Sequence, residues 1–218
     1  MSFDARTMGT IALITSPLML LEALLLTTDH LPGGELGRGD AIIGLIYLCG
    51  FGATLIGLNQ TGVTGRYRTA QNGQQGTLCA CSWVQILFVA QMSLLLLAAV
   101  QQSLELAQAN TLSGLFGLAD LAWPLSHLLM CAAGMAILTA RCWTGYRACL
   151  PFLCGLAVPV LVALQQMVGK ETGRIAFGLL TTIGFGMLGY ALRSSSQHML
   201  VGNRPIRPQH NPFRQVVR

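Results

Sequence analysis

Charge is what this chain has least of. Only 10% of its 218 residues are Asp, Glu, Lys or Arg, against about 25% in an ordinary soluble domain. Lysine occurs once, as Lys170. A surface so poor in ionised groups cannot stay wet, which excludes a soluble globule. With 53% hydrophobic residues and a mean hydropathy of +0.58, the chain needs an apolar solvent.

Other absences narrow the chemistry. There is no Gly-rich phosphate loop, no zinc-protease helix and no GxSxG elbow. A retinal protein needs a lysine inside a helix, and Lys170 falls in a connection. Haem between helices wants two histidines at one depth, whereas His30 sits at a segment edge and His127 near a centre. The net charge of +5 comes from arginines at segment ends rather than from a recognition fold, so no nucleic-acid partner is expected. Neither enzymatic activity nor a cofactor or metal is expected. Cys79-x-Cys81 is too tight a pair for a zinc knuckle. None of the seven cysteines lies in a connection expected outside the cell, so all are read as free thiols packing as small hydrophobes.

What is present is apolar sequence in six blocks, at 8–28, 41–59, 79–100, 114–140, 148–168 and 175–192. Each is close to or above the ~20 residues that cross a bilayer as a helix. Strands with open edges are excluded in lipid, and the blocks lack barrel-type alternation. The expected fold is therefore all-α, a single bundle of six transmembrane helices over 1–192. The first block carries Glu22 and no clear cleavage site, so it is expected to stay as the first helix. Residues 60–78 read as a loop. Residues 193–218 carry three prolines and no acid, and read as a basic, disordered tail.

Orientation follows from the arginines. With the N-terminus in the cytoplasm, Arg6, Arg66, Arg68, Arg141, Arg147, Arg193, Arg204, Arg207, Arg214 and Arg218 all fall inside. Arg38, Lys170 and Arg174 then fall outside, with Asp29, Glu35, Asp40, Glu105 and Glu171. This positive-inside bias predicts a multi-pass protein of the inner cell membrane with both termini cytoplasmic. Two rows of small residues, Gly50/Ala53/Gly57 and Gly178/Thr182/Gly186, read as helix-packing faces.

Two acids lie within the spans, Glu22 in the first and Asp120 in the fourth. A charge at a helix centre costs at least ~2.5 kcal/mol on insertion scales, so such groups turn to a cavity or a partner. Glu22 precedes Asp29 by seven residues and Asp120 follows Ser113 by seven, which puts both about 10 Å below one surface. His127 lies seven residues beyond Asp120 on the same helical stripe, flanked by Trp123 and Pro124. Glu22, Asp120, His127 and Trp123 together suggest a substrate or proton pathway, since carboxylate–histidine chains serve proton relays. The competing reading is packing: Glu22 pairs with Arg38 or Arg174, Asp120 with Trp123, Gln85 or Gln91, and His127 is a satisfied core histidine. Two functions follow. One is a small solute or ion transporter, proton-coupled through these acids. The other is a non-catalytic membrane subunit or assembly factor, whose partners, beyond the lipid bilayer, are other membrane helices or further copies of itself. A cavity joining Glu22 to Asp120 discriminates in favour of the first.

Overall fold

A computed structural model describes residues 4–32, 37–61, 82–107, 113–139, 143 and 145–202. These residues are helical, with no strand among them: α1 (Ala5–Thr15), α2 (Leu18–Thr27), α3 (Arg38–Gln60), α4 (Ser82–Leu106), α5 (Ser113–Thr139), a 3-10 turn at Gly145–Cys149, α6 (Leu150–Met167) and α7 (Lys170–Gly202). Six stretches are long and apolar enough to cross a membrane, α1 and α2 together making the first. The chain is thus an all-helical bundle with the make-up of a multi-pass membrane protein. Cys79, Cys81, Cys142, Glu35, Arg66, Arg68, Arg141, most of the expected loop 60–78 and the tail beyond Gly202 lie outside the described residues.

The spans form a ring. Each packs on its neighbour in sequence, and the circle closes where α1 and α2 lie against α7. Buried aromatic and aliphatic side chains fill the middle, among them Tyr47, Phe51, Met130, Phe185 and Leu188. The outside is apolar as well: Ile86, Val89, Leu96 and Ile183 are exposed, as a lipid-facing surface requires. Small residues allow the close approaches. A Cβ on Gly9 would stand 2.5 Å from the backbone oxygen of Gly189, and one on Gly189 would stand 2.7 Å from that of Gly9. Neither site has room for a side chain unless the helices move apart. Both small-residue rows turn towards the first span: Gly50 meets Thr15, Gly57 meets Met8, Gly178 meets the backbone of Leu20, and Gly186 meets Ser16. Among the described cysteines, Cys49, Cys131, Cys149 and Cys154 are free thiols.

The helices differ from the sequence blocks at three places. The first block is two helices rather than one, because Pro17 has no N–H to give the Leu13 carbonyl. Ser16 fills that vacancy, its Oγ donating to Leu13 O at 2.9 Å, and Thr182 on α7 donates to Ser16 O at 3.2 Å. The third span continues past residue 100 to Leu106, since Gln101 turns inward and finds partners there. The last helix begins at Lys170 and runs ten residues past 192 to Gly202. Lys170 and Arg174 therefore belong to a helix rather than to a loop. The turn between α6 and α7 is short enough to need Gly169 at φ 126°, a conformation suited to glycine.

Candidate functional site

Six charged or amide side chains lie towards one end of the bundle, where α2, α4 and α6 finish and α3, α5 and α7 start. Glu22 lies five residues from the end of α2, Glu105 one from the end of α4 and Gln165 two from the end of α6. Asp40 lies two from the start of α3, Arg174 four from the start of α7 and Asp120 seven from the start of α5. At 1.5 Å per residue, all sit within about 11 Å of that end. They line a single cavity of about 280 Å³, whose walls also include Gln101, Gln102, Trp123 and Phe177.

Four acids run round this space in a chain of electrostatic contacts. Glu22 lies within electrostatic reach of Asp40 and of Arg174. Asp40 in turn acts on Glu105, as does Asp120. Gln101, only 5% exposed, bridges two of them: its Nε2 donates to Glu105 Oε1 at 3.0 Å and to Asp120 Oδ1 at 3.3 Å. Asp120 itself is exposed, at the mouth, while Glu22, Asp40 and Glu105 are partly buried. Three buried acceptors on the walls have no hydrogen-bond donor: Glu22 Oε2, Gln102 Oε1 and Glu105 Oε2. Such groups are rare in folded proteins, because each carries a desolvation cost of ~1–3 kcal/mol.

Each span that carries an internal proline contributes to the cavity beside it. Met19 and Glu22 follow Pro17, Asp120 and Trp123 precede Pro124, and Leu161 and Gln165 follow Pro159. A proline frees the carbonyl four residues before it, which for Pro124 is that of Asp120. Of the three spans, only the first is broken into two helices; α5 and α6 run unbroken through Pro124 and Pro159.

The structure thus brings Glu22, Asp120 and Trp123 to one cavity, and it leaves His127 out of the lining. His127 is fully buried beneath the floor. Its Nδ1 faces Trp123 O at 3.1 Å. A carbonyl only accepts, so Nδ1 carries the proton. Nε2 is then an acceptor, and the Tyr47 hydroxyl donates to it at 2.9 Å. Aromatic rings enclose the imidazole, with Phe51 at 4.8 Å, Trp123 at 5.1 Å and Phe177 at 5.8 Å between centroids. His127 reaches the cavity only through Tyr47, whose side chain forms part of the wall. The polar partner of Asp120 is Gln101, in place of the expected Gln85 or Gln91; Gln85 is exposed and Gln91 donates instead to Ser126 O at 2.9 Å.

Reading the sequence alone overlooked Tyr47, Asp40, Gln101, Gln102, Glu105 and Gln165. Tyr47 had a usable signal: a tyrosine in mid-span, far from either headgroup layer, needs a partner for its hydroxyl. The pair Gln101–Gln102 followed by Glu105 had another, an amide–acid i,i+4 spacing that extends a helix rather than ending it. Among the described residues, no three His, Cys, Asp or Glu side chains gather into a group that could hold a metal ion. No protein-family model, no curated protein and no solved structure matches this chain.

Proposed function

We propose that this chain is a small-solute transporter of the inner cell membrane, with both termini cytoplasmic and with proton coupling through its intramembrane acids. The observation that carries the reading is the cavity joining Glu22 to Asp120. A subunit that only holds helices together has no use for a space of this size lined by four carboxyls. In this reading a proton rides on the intramembrane acids that face the cavity, Glu22 and Asp40 among them, since a bare charge at that depth is costly. Solute binding draws on the same acids and so competes with that proton. The opposite half of the bundle is closed by the Gly9–Gly189 crossing and by Gly57 against Met8 and Leu192. Passage to the other face then requires the spans to part there, with the Ser16–Pro17 break and the proline sites of α5 and α6 as the points of bending.

The test is flux in proteoliposomes carrying an entrapped pH dye. Small amines, amino acids and carboxylates are added in turn across a pH gradient. At least one class should evoke proton movement in the wild-type protein, and Glu22→Gln and Asp120→Asn should abolish it with folding kept. Were no class to move protons, or were both variants to match the wild type, the transport reading would fail. The chain would then be read as a membrane subunit that binds partner helices.

A further inference from the structure

The cavity's lining is one-sided in charge and in hydrogen-bonding character. Glu22, Asp40, Glu105 and Asp120 face it with a single guanidinium, that of Arg174. The polar atoms left without partners on its walls, Glu22 Oε2, Gln102 Oε1 and Glu105 Oε2, are all acceptors. A ligand that completes this site brings donors and positive charge. Its floor adds an aromatic wall: Trp123 and Phe177 pack edge to face with centroids 5.1 Å apart, and Tyr47 lies beside them. Indole and phenyl rings attract cations that have shed water.

Size separates the candidates that share this chemistry. One water needs about 10–15 Å³ of such space, so about 280 Å³ is far too large for a single dehydrated ion. Nor, among the described residues, do three His, Cys, Asp or Glu side chains gather into a group that could hold a metal ion. The space suits a small organic molecule with an N–H-bearing cationic head and a short apolar body. Its head would meet the orphaned oxygens, and its body would lie on Trp123, Phe177 and Leu161.

We propose that the cavity binds a small organic ammonium ion through Glu22, Gln102 and Glu105, with its hydrocarbon part against Trp123. This rests on the same cavity as the transport reading and names its ligand class. Two sources supply the chemistry, a free amine in solution or the headgroup of an ethanolamine phospholipid reaching in past Asp120.

The experiment measures binding rather than flux, so that the two proposals can fail separately. The purified protein in nanodiscs of pure phosphatidylglycerol is titrated calorimetrically with n-butylammonium, with butyrate and with 1-pentanol. n-Butylammonium should bind saturably and the other two should not. Loss of one charge-assisted contact should weaken it about tenfold or more in Glu22→Gln and in Glu105→Gln. Gln102→Leu, which removes an acceptor and no charge, should weaken it less and guards against a folding artefact. Tetramethylammonium, which has charge but no N–H, should bind more weakly than n-butylammonium. Repeating the titration with phosphatidylethanolamine in the disc distinguishes the sources: competition assigns the site to the lipid headgroup, and unchanged binding assigns it to a free amine. Absence of ammonium binding, equal binding of butyrate, or wild-type affinity in both acid variants overturns the proposal. Glu22-dependent flux of a different solute class would leave transport standing while this assignment falls.

Discussion

The Tyr47–His127 pair gives a stability test worked from its geometry. Both side chains are at most 2% exposed, and one hydroxyl-to-imidazole bond of 2.9 Å joins them. Tyr47→Phe keeps the ring and removes only the donor, leaving Nε2 buried with no partner. That should destabilise the protein by about 1–3 kcal/mol. His127→Leu should cost more, because it also removes the bond to Trp123 O and the ring contacts with Phe51 and Trp123. In the double variant the donor and its acceptor vanish together, so the losses should not add. Side-chain hydrogen bonds in membrane bundles couple by ~0.6 kcal/mol on average and by ~1.7 at most. Complete burial places this pair towards the upper figure. The assay is reversible unfolding in mixed micelles, with all four proteins compared in one double-mutant cycle. Additive losses, or a Tyr47→Phe protein as stable as the wild type, would refute the hydrogen-bonded core pair.

Three further outcomes are expected. Reporter fusions at positions 70 and 218 should read cytoplasmic and one at position 36 external, since most arginines then lie inside; a cytoplasmic signal at 36 overturns the orientation. Gly9→Val should destabilise by at least ~1–3 kcal/mol, because the atoms it meets belong to the α7 backbone and cannot rotate away. Gly52→Ala, with nothing within 4 Å of its Cβ, should be neutral or gain up to ~1 kcal/mol of helix propensity; equal losses at both sites would contradict the packing. Asp4 caps α1 by accepting from the Thr7 N–H at 2.8 Å, and hydrogen bonding from the Thr7 side chain, together with this backbone bond, holds its carboxyl below the ordinary 3.8. A depressed folded value means that the cap is whole above about pH 4 and is lost as the pH falls through it. Amide exchange at Thr7, corrected for intrinsic rates, should therefore accelerate only on acidification below that point, and a flat profile to pH 2 would count against the cap.

The spans were legible because lipid imposes a length and a composition that few other structures share. Boundaries were less so, for reasons tied to particular side chains. Gln101 and Gln102 look like the end of an apolar block, yet Gln101 is satisfied inside the bundle by Glu105 and Asp120. Pro17 is set among leucines that keep the hydropathy high, so the break in the first span leaves no trace in it. The acids Glu22 and Asp120 declared themselves by lying within apolar blocks; both line the cavity, although they stand five and seven residues from their helix ends rather than at equal offsets. Asp40, Glu105 and Arg174 did not, because charges near helix ends are normally wet; here the cavity extends to that level. His127 was legible as a polar residue on the Asp120 stripe. Its depth beneath Trp123 depends on how α3, α5 and α7 pack around it, which no linear spacing contains.

The ring also sets an order of events during synthesis. The first span is made first, yet much of its surface belongs to α7, the last: Gly9 waits for Gly189, Leu20 for Gly178, and Glu22 for the charge of Arg174. About 150 residues separate Glu22 from Arg174, which at 5–20 residues per second is roughly 8–30 s of translation. Throughout that interval a helix with an ionisable group and a notched face lies in the bilayer or the insertion machinery without its final neighbour. Chains halted before α7 should be recognised as orphans by membrane proteases. A separately expressed α7 should rescue them, since the missing wall of the ring is a single helix.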